Sequence, residues 1–442
     1  MNVVIAGYGA EGKSNYEYYL KRGDFVTVAD ERLGLDDAPD DAALLLGEDA
    51  FARLNGFDLV VRTAGLAPSK ISTDGQVWSA TNEFFAECPA PIIGVTGSKG
   101  KGTTCSLITS ILRAAGKTVY LVGNIGVPAL DVLPKISAED IVVYELSSFQ
   151  LWDLERSPSV AVVLHMEPDH LDVHASFEEY IEAKANIRVH QKDSDVCFYH
   201  PTNVFSKQIA TSLTTENDEQ VLPYNTVNER NDRVSVAFVD GQNFFASRKN
   251  TEPIQICPLN ALQLPGVHNQ ENACAAISVS LLFTDDFSAV ERGLRDFSGL
   301  PHRLKFVRTV DEVRYYDDSI ATTPGSASAA LAAFSEPKVL IMGGSTKGAD
   351  FTDFAKVAQR SNIRKIILIG DEAARIAAAL DEHGVATENL GSEVTMTQVV
   401  GEAHASAIAG DVVVLSPACA SFGMFKNYAD RGDQFIAAVQ AL

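Results

Sequence analysis

Residues 91–116 read PIIGVTGSKGKGTTCSLITSILRAAG, and this stretch decides the fold of the central part of the chain. A short apolar run ends in a glycine-rich loop, and an amphipathic helical pattern follows directly. Glycines let successive backbone amides turn inward, the start of the helix adds its dipole, and Lys101 supplies a mobile cation. The segment is therefore predicted to form the strand, phosphate-binding loop and helix of a nucleotide-binding domain.

The loop agrees with a P-loop in mechanism but departs from the standard pattern G-x-x-x-x-G-K-[ST]. It is shorter, and Gly102 stands directly after the lysine where a hydroxyl residue is usual. A hydroxyl from Thr103 or Thr104 is expected to complete a Mg²⁺ shell, and the sequence leaves open which of the two does so. The residues predicted to surround the ATP phosphates are Gly97, Ser98, Lys99, Gly100, Lys101, Gly102, Thr103 and Thr104.

Short β-branched apolar runs recur along the whole chain, separated by segments of helical length. Runs that are apolar on both faces are typical of parallel sheets covered by helices, so the predicted fold class is α/β. The runs fall into three groups, which predict three domains: a Rossmann-like domain at 1–90, a P-loop ATPase-type domain with a mainly parallel sheet at 91–297, and a Rossmann-like domain at 298–442. Within the second, Asp240-Gly241 predicts an antiparallel hairpin.

The N-terminal stretch NVVIAGYGAEG, with Asp30 closing the next apolar run, has the spacing of a dinucleotide-binding unit. Its glycines permit close backbone approach, and the helix that follows directs its N-terminus at a diphosphate. Taken alone, this loop suggests a nicotinamide-dependent oxidoreductase. That activity is one alternative reading of the chain.

Composition excludes several classes of partner. The formal net charge of −22 argues against a nucleic-acid ligand, which requires a basic face. No apolar stretch approaches the roughly 20 residues of a membrane span, and the N-terminus does not have the pattern of a signal peptide. The six cysteines are scattered and are expected to be free thiols. We expect a cytoplasmic, monomeric protein that acts on small molecules.

Candidate metal ligands follow two strands of the central group. Glu145 stands at the end of the run IVVYE, and Asp169 and His170 come just after the run VAVVLHM. Open α/β sheets place ligands at the carboxyl ends of their strands. A His/Asp cluster is compatible with zinc, but its position after a phosphate-binding loop and the absence of nearby thiols favour Mg²⁺-nucleotide chemistry.

Ten short motifs in order give the chain a resemblance to the Mur ligase family over nearly its whole length. These motifs are GVTGSKGKGTT (94–104), GNIG (123–126), ELSSFQL (145–151), DHLD (169–172), YIEAKANI (180–187), GVHNQENACAA (266–276), GLPHR (299–303), DDSIATTP (317–324), MGGSTKGADF (342–351) and LSPACASFGMFKNYADRG (415–432).

The resemblance implies an ATP-dependent amide ligase of peptidoglycan precursor synthesis. Within the family, the chain is most similar to the members that add D-glutamate to UDP-N-acetylmuramoyl-L-alanine through an acyl phosphate. The alternatives are another Mur-type or a folylpolyglutamate-type ligase, a ligase for L-glutamate, and a nucleotide-binding regulatory module without catalysis.

The resemblance also implies roles for individual residues of the central domain. Lys101 would bind the β- and γ-phosphates, Thr103 and Glu145 would hold one Mg²⁺, and His170 would hold a second with Lys184, which is carbamylated in this family. The remaining residues implied to surround ATP are Asn269, Asn272, Arg303 and Asp318.

Substrate residues are implied in the same way. The UDP end would be bound by Gly9, Ala10, Glu11, Asp30, Glu31, Arg32 and Gly65, and the muramoyl end by Asn124, Ser147 and Gln150. Glutamate would be bound by Thr322, Lys347, Ser421 and Tyr428. One departure is Ile320, which stands where many relatives have lysine, so a charge expected near the site is missing.

Overall fold

The structure, a computed structural model, describes residues 1–35, 37–124, 127–171, 173–212, 219–346 and 348–442. These residues form two compact units, and each is described by itself. The first comprises Met1–Leu262 and His268–Phe297, and the second comprises Gln263–Val267 and Ser298–Leu442. The division of the chain into three domains at residues 90 and 297 stays a prediction.

The first sheet of the first unit is wholly parallel, with the strand order β3-β2-β1-β4-β5. The order reverses next to β1, which leaves a crevice beyond the carboxyl ends of β1 and β4. Its elements are β1 (Asn2–Ala6), α1 (Ala10–Arg22), β2 (Phe25–Asp30), β3 (Ala43–Leu46), β4 (Leu59–Arg62), β5 (Gln76–Ser79) and α2 (Ala80–Glu87).

The second sheet is also parallel, with the order β11-β10-β9-β6-β8-β7. Strand β6, which leads into the glycine-rich loop, lies between β8 and β9, so their carboxyl ends flank that loop. The elements are β6 (Ile92–Thr96), α3 (Lys101–Ala114), β7 (Val119–Gly123), α4 (Ala129–Val132), β8 (Ile141–Glu145), α5 (Ser148–Leu151), β9 (Val160–Val163), α6 (Phe177–Val189), β10 (Val196–Tyr199), α7 (Val204–Thr211) and β11 (Val221–Pro223).

A small antiparallel sheet completes the first unit. The hairpin predicted at Asp240-Gly241 is confirmed, because Asp240 pairs with Asn243 and Gly241 adopts a positive φ of 57° at the turn. The sheet consists of β12 (Val236–Asp240), β13 (Asn243–Ser247) and β14 (Ile254–Pro258), and two helices follow, α8 (Val267–Ser280) and α9 (Phe287–Asp296).

The second unit contains one six-stranded sheet with the order β15-β16-β20-β17-β18-β19, in which only the edge strand β15 is antiparallel. Its elements are β15 (Lys305–Val310), β16 (Val313–Asp317), α10 (Pro324–Ala332), β17 (Lys338–Gly343), α11 (Thr352–Arg360), β18 (Ile363–Ile369), α12 (Ala373–Asp381), β19 (Thr387–Gly391), α13 (Met396–Ser406), β20 (Val412–Leu415) and α14 (Tyr428–Gln440).

The apolar runs seen in the sequence form sheets that are buried on both faces. In the first sheet Val3 and Ile5 belong to one core, while Val4 and Ala6, which alternate with them along β1, belong to another. Period-two alternation of side chains explains why a strand covered on both faces carries an unbroken apolar run. The α/β prediction is confirmed. None of the helices that the structure describes has the length and apolar character that a membrane crossing needs.

Candidate active site

The glycine-rich loop lies between β6 and α3, at the carboxyl edge of the central sheet. Its first turn is attached to the loop after β9, because Ser98 donates its backbone N–H to His165 O at 2.9 Å and its hydroxyl to Glu167 O at 2.8 Å. The Lys101 ammonium folds back over the loop and donates to Gly97 O at 2.8 Å and to Ser98 O at 3.2 Å. The loop therefore has the fixed cradle and the cation that a phosphate site requires.

Helix α8 brings two asparagines towards this loop. Gly100, the N-cap of α3, adopts a φ of 88°, and a Cβ at this position would lie only 2.4 Å from Asn272 Oδ1. Asn272 in turn donates to Asn269 Oδ1 at 3.4 Å, and both side chains are buried. The structure thus places Asn272 in direct contact with the loop and Asn269 one helical turn away.

Glu145 ends β8, next to the strand that leads into the loop, with its neighbour in register being Val95. It is buried, and Asn124 donates to its Oε1 at 3.0 Å. Its Oε2 is buried with no hydrogen-bond partner in the described part of the chain, and the same is true of Thr104 Oγ1. Unpartnered buried oxygens are costly, and hard oxygen donors are the ligands that Mg²⁺ prefers, so these groups fit a cation.

Lys184 of α6 is 1% exposed and lies directly under the loop. Its ammonium donates to Thr96 Oγ1 and to Gly97 O, both at 3.2 Å, and lies 4.7 Å from the centre of the Tyr180 ring. Burial, reinforced by the neighbouring charge of Lys101, lowers the pKa of Lys184 well below its ordinary value. This amine is therefore poised to lose its proton at a far lower pH than an exposed lysine.

His170 lies in the segment that follows β9, with a positive φ of 54°. Its ring packs 4.9 Å from that of Phe149, and its Nε2 lies 3.6 Å from Asp169 Oδ2. Its side chain is 47% exposed, in contrast to the buried Glu145 and Lys184. Among the residues that the structure describes, no three His, Cys, Asp or Glu side chains are grouped to hold a metal ion.

The N-terminal glycine loop lies at the crevice between β1 and β4. Gly9 caps α1, and Ala10 opens the helix. Gly12 packs so closely on the loop that a Cβ would lie 2.1 Å from Gly7 O, which explains the need for glycine there. The backbone N–H groups at this helix start are available to an anion. The predicted glycine loop between an apolar strand and a helix is thus confirmed, and the binding of a diphosphate there stays a prediction.

Asp30, the acidic residue of the dinucleotide pattern, is already engaged by the protein. It accepts a 2.8 Å hydrogen bond from the Tyr8 backbone and charge-assisted bonds from the Arg32 backbone and guanidinium. The hydrogen bond from Arg32 is the main reason that the pKa of Asp30 falls to about 2. Arg32 also donates to Tyr8 O at 2.9 Å, while Glu31 forms an exposed ion pair with Lys70. Asp30 and Arg32 thus brace the glycine loop.

Glu11 binds the loop after β4 through its carboxylate. Its Oε2 accepts a 2.7 Å hydrogen bond from the Ala64 backbone N–H, beside Gly65 in the loop after β4. Burial raises the pKa of this carboxyl, against the lowering effect of that bond. Glu11 therefore joins the loops after β1 and β4, and only its backbone is left to meet an anion.

Asn124, Ser147 and Gln150 follow β7 and β8 in the central sheet. Ser147 and Gln150 form a capping box on the short helix α5, in which Gln150 N donates to Ser147 Oγ at 3.2 Å and Ser147 N donates to Gln150 Oε1 at 2.9 Å. Asn124 is bound to Glu145 as described above. All three side chains are thus held in defined orientations near the end of β8.

In the second unit, Arg303 is exposed and Asp318 is buried. Asp318 accepts hydrogen bonds from Leu304 N at 3.1 Å and from Ser416 Oγ at 2.8 Å. Burial outweighs these bonds and raises the pKa of Asp318 to about 7. Ile320, which replaces a lysine of many relatives, is partly buried, and its backbone N–H donates to His302 O at 3.0 Å.

Two of the four residues predicted to bind glutamate, Thr322 and Ser421, lie on segments that are joined by a backbone hydrogen bond. Ala418 N donates to Ala321 O at 2.8 Å, which ties the segment before Ser421 to the one that carries Thr322. Ser421 is buried, and Tyr428, 42% exposed, opens α14. The fourth residue, Lys347, lies outside the described residues.

Two fully buried arginines are not among the residues predicted from the sequence. Arg62 ends β4 and is fully buried, with bonds to the Asp153 carboxylate at 2.7 and 2.8 Å and to Phe149 O at 2.9 Å. Arg431 of α14 is equally buried. The only signal in the sequence was a cation directly after an apolar run, LVVR, for Arg62 and no comparable signal for Arg431.

Two family models match the chain. The Mur ligase middle domain matches residues 95–280, and the glutamate ligase domain of Mur ligases matches residues 302–419. The first match contains the glycine-rich loop, Glu145, His170, Lys184 and the two asparagines of α8.

Curated relatives match over the full length. The chain is 33% identical to a UDP-N-acetylmuramoylalanine–D-glutamate ligase of Streptococcus thermophilus, covering 100% of this chain and 97% of that protein. It is 37% identical to the ligase of the same name from Symbiobacterium thermophilum, covering 99% and 98%.

Solved structures support the fold. The UDP-N-acetylmuramate-alanine ligase MurC of Thermotoga maritima matches with a TM-score of 0.60 at 16% identity, covering 100% of this chain and 99% of that one. MurF ligase of the same organism, in complex with ADP, matches with a TM-score of 0.56 at 17% identity, covering 99% and 94%. Together with the full-length relatives, the phosphate loop and the residues gathered around it show that this chain belongs to the Mur ligase family.

Proposed function

We propose that this protein is an ATP-dependent ligase that joins D-glutamate to UDP-N-acetylmuramoyl-L-alanine in peptidoglycan precursor synthesis. The structural observation that carries the proposal is the sharing of Gly97 O by the ammonium groups of Lys101 and Lys184, at 2.8 and 3.2 Å, beside a phosphate-type loop. The full-length similarity to ligases of that name supports the choice of substrates.

The reaction would proceed in two steps. The terminal carboxylate of the alanyl substrate attacks the γ-phosphorus of ATP, which forms an acyl phosphate and expels ADP. The amine of glutamate then attacks the acyl carbon, so that inorganic phosphate leaves and the amide forms with loss of a proton. Lys101 and the loop amides would stabilise the phosphoryl charge and fix the line of attack.

Mg²⁺ fits the donors at this edge of the sheet. Glu145 would hold one ion together with Thr103 or Thr104, and the unpartnered Oε2 of Glu145 and Oγ1 of Thr104 support that assignment. His170 and Lys184 would hold a second. When bound, the ions neutralise charge on the phosphates that approach the substrate carboxylate.

Lys184 would act as a carbamate. Its lowered pKa makes the neutral amine accessible, and the neutral amine is the form that attacks CO₂. The ammonium first loses one proton, and the attack of the neutral amine on CO₂ then gives a carbamate with release of a second proton, so a buried cation becomes an anionic oxygen donor. Burial against Thr96 and Gly97 supports this modification, because an uncompensated buried ammonium is unfavourable.

The remaining predicted residues complete two substrate subsites. In the first unit, the N-terminal glycine loop would bind the UDP diphosphate through backbone groups, with Asn124, Ser147 and Gln150 along the muramoyl end. In the second unit, Arg303 and Asp318 would serve the nucleotide, and Thr322, Lys347, Ser421 and Tyr428 the two carboxylates of glutamate. We further propose a monomer located in the cytoplasm.

A substrate panel tests the proposal. Phosphate release from ATP is measured with UDP-N-acetylmuramoyl-L-alanine and D-glutamate, L-glutamate, alanine or lysine, each added singly and together. Release is expected only when the nucleotide substrate and D-glutamate are both present. Release with another amino acid in place of glutamate contradicts the proposal, and equal release with L-glutamate contradicts the stereochemistry. NADH, titrated by fluorescence, is expected not to bind, since Asp30 is committed to Tyr8 and Arg32.

A further inference from the structure

Arg431 carries a fully buried charge in the second unit. Its side chain is fully buried, and burial lowers its pKa to about 10, so it remains charged at neutral pH. Its guanidinium donates from Nε to Ser319 Oγ at 2.9 Å, from one terminal nitrogen to Ser319 O at 2.7 Å, and from the other to Cys419 O at 3.2 Å. One planar group therefore donates hydrogen bonds to both the hydroxyl and the backbone carbonyl of Ser319.

These acceptors are neutral oxygens. Within the described part of the chain, no carboxylate forms an ion pair with Arg431. A buried cation without a paired anion does not stabilise the fold through its charge, because its desolvation is unfavourable. Its five donors in a rigid plane are instead suited to fixing the relative positions of backbone segments that are distant in the sequence.

Ser319 extends the contact to the start of α14. Its hydroxyl accepts from Arg431 and donates to Tyr428 O at 2.7 Å, while its backbone N–H donates to Asp317 Oδ1 at 3.0 Å. Asp317 is bound in turn to His302 Nδ1 at 2.7 Å. Ser319 is fully buried, so water does not compete for these bonds.

The contact thus joins three segments that carry proposed site residues. Ser319 follows Asp318, Cys419 lies two residues before Ser421, and Tyr428 accepts from Ser319 directly. We propose that Ser319 and Arg431 are positioning residues that hold Ser421 and Tyr428 in the geometry needed to receive the incoming amino acid. The inference rests on the proposed function, because it takes the glutamate subsite from there.

Two buried serines of this unit allow a matched test. Ser319 and Ser416 are both fully buried, but the Ser319 hydroxyl donates to Tyr428 O, whereas the Ser416 hydroxyl donates to Asp318 at 2.8 Å. Ser319→Ala removes the bond to Tyr428 O and the acceptor of Arg431 Nε, and it is expected to raise KM for glutamate at least about fivefold, with KM for ATP changed less than about twofold. Ser416→Ala is expected to raise KM for ATP more than KM for glutamate.

Two further variants complete the design. Ser328→Ala removes a hydroxyl that, among the described residues, bonds only within its own helix, to Pro324 O, and it is expected to change neither KM by more than about twofold. Arg431→Lys keeps the charge but not the planar fork, and is expected to raise KM for glutamate at least as much as Ser319→Ala. Thermal unfolding of each variant checks that it is folded. If Ser319→Ala does not fold, both KM values are measured for Ser319→Cys instead, which keeps a weak donor at the same place.

The outcomes separate this inference from the proposed function. The wild type is measured first. If its phosphate release does not depend on glutamate, the proposed function is wrong. Given glutamate-dependent release, a selective rise in KM for glutamate in the Ser319 and Arg431 variants supports the inference. An unchanged KM for glutamate, or an equal rise in both KM values, overturns it.

Discussion

The side chains of Lys101 and Lys184 share a single acceptor, the carbonyl oxygen of Gly97, at 2.8 and 3.2 Å. Two ammonium groups this close repel each other, and the more buried one bears the larger penalty. Lys184 is that residue, and its pKa is lowered well below the ordinary value by burial first and by Lys101 second. The repulsion between the two ammonium groups is unfavourable in the free protein. The negative charge of ATP, or carbamylation of Lys184, would relieve it.

Replacing Lys184 by methionine should stabilise the protein in carbonate-free buffer without nucleotide. Because the folded-state pKa lies below the unfolded value near 10.5, the wild type gains stability as pH rises between the two pKa values, and the variant does not. We expect Lys184→Met to be more stable at pH 7 by on the order of 1 kcal/mol, with the difference shrinking by pH 9. Urea unfolding at both pH values measures this, with exposed Lys117→Met as the control.

The same variant tests the carbamate. With ¹³C-bicarbonate, wild-type protein should give a carbamate ¹³C signal that Lys184→Met lacks and Lys117→Met retains. Phosphate release should be lost in Lys184→Ala and partly restored by short carboxylates such as formate. Full activity of Lys184→Ala would refute this role, and so would a carbamate signal that remains in Lys184→Met.

Glu145→Gln should separate catalysis from folding. The amide keeps the size of the side chain and an acceptor for Asn124, but it removes the charge of a buried group whose Oε2 has no partner in the described residues. Phosphate release should fall by roughly a hundredfold or more. The thermal midpoint without nucleotide should be unchanged or higher, since a buried charge is removed.

Glu139→Gln, an exposed substitution in the same unit, is the control for Glu145→Gln and should leave both quantities unchanged. Retention of near-normal phosphate release by Glu145→Gln would exclude Glu145 as a metal ligand.

The contact between Gly100 and Asn272 can be probed with a pair of glycines that flank the same helix. Both Gly100 and Gly116 have positive φ, 88° and 77°, so alanine strains the backbone at either position. Only at Gly100 would a Cβ collide with Asn272, at 2.4 Å, whereas Gly116 faces open space.

Gly100→Ala should therefore raise KM for ATP at least about tenfold, the effect of about 1.4 kcal/mol of lost binding. Gly116→Ala should cost about 1 kcal/mol of stability with KM for ATP unchanged. Steady-state kinetics and urea unfolding of both variants measure the difference. Equal effects on KM would show that strain, and not the Asn272 contact, matters at the loop.

Asp30 should make the first sheet sensitive to acid. Its folded-state pKa of about 2 lies below the ordinary 3.8, so its contribution is present above pH 4 and is lost as pH falls towards 2. Asp30→Asn should destabilise the protein by about 1 kcal/mol at pH 7, because it weakens charge-assisted bonds to Tyr8 and Arg32.

The stability difference between wild type and Asp30→Asn should shrink as the pH falls from 4 towards 2, as followed by thermal unfolding. Glu31→Gln removes a carboxylate from an exposed ion pair in the next position and should cost less than about 0.5 kcal/mol. A difference that is independent of pH would contradict the coupling of Asp30 to the glycine loop.

The parts that the sequence predicts well are those set by local pattern. The strand, loop and helix around Lys101 follow from apolar periodicity and glycine chemistry, and the hairpin at Asp240-Gly241 follows from its turn residues. The dinucleotide pattern located its loop, whereas the hydrogen bonds of Asp30 to Tyr8 and Arg32 appear only in the structure. Spacing alone does not reveal that Arg32, two residues later, occupies that carboxylate.

The parts that escaped prediction depend on contacts distant in sequence. Ser319 and Arg431 are 112 residues apart, and no periodicity links a serine after a strand to an arginine one turn into a helix. Burial of Lys184 was equally inaccessible, since a helix lysine is normally solvated. Only the three-dimensional packing of α6 against the loop makes its amine unusual.

Arg62 has a consequence for inhibitor design. Its buried guanidinium binds the Asp153 carboxylate and Phe149 O from the end of β4, and so it anchors the crevice of the first sheet to the segment that follows Glu145. Arg62 therefore fixes the distance between the crevice and the segment after Glu145 before any ligand binds. A compound that reaches both must match that distance. A rigid linker that matches this separation should lose less conformational entropy on binding than a flexible one, and so gain affinity.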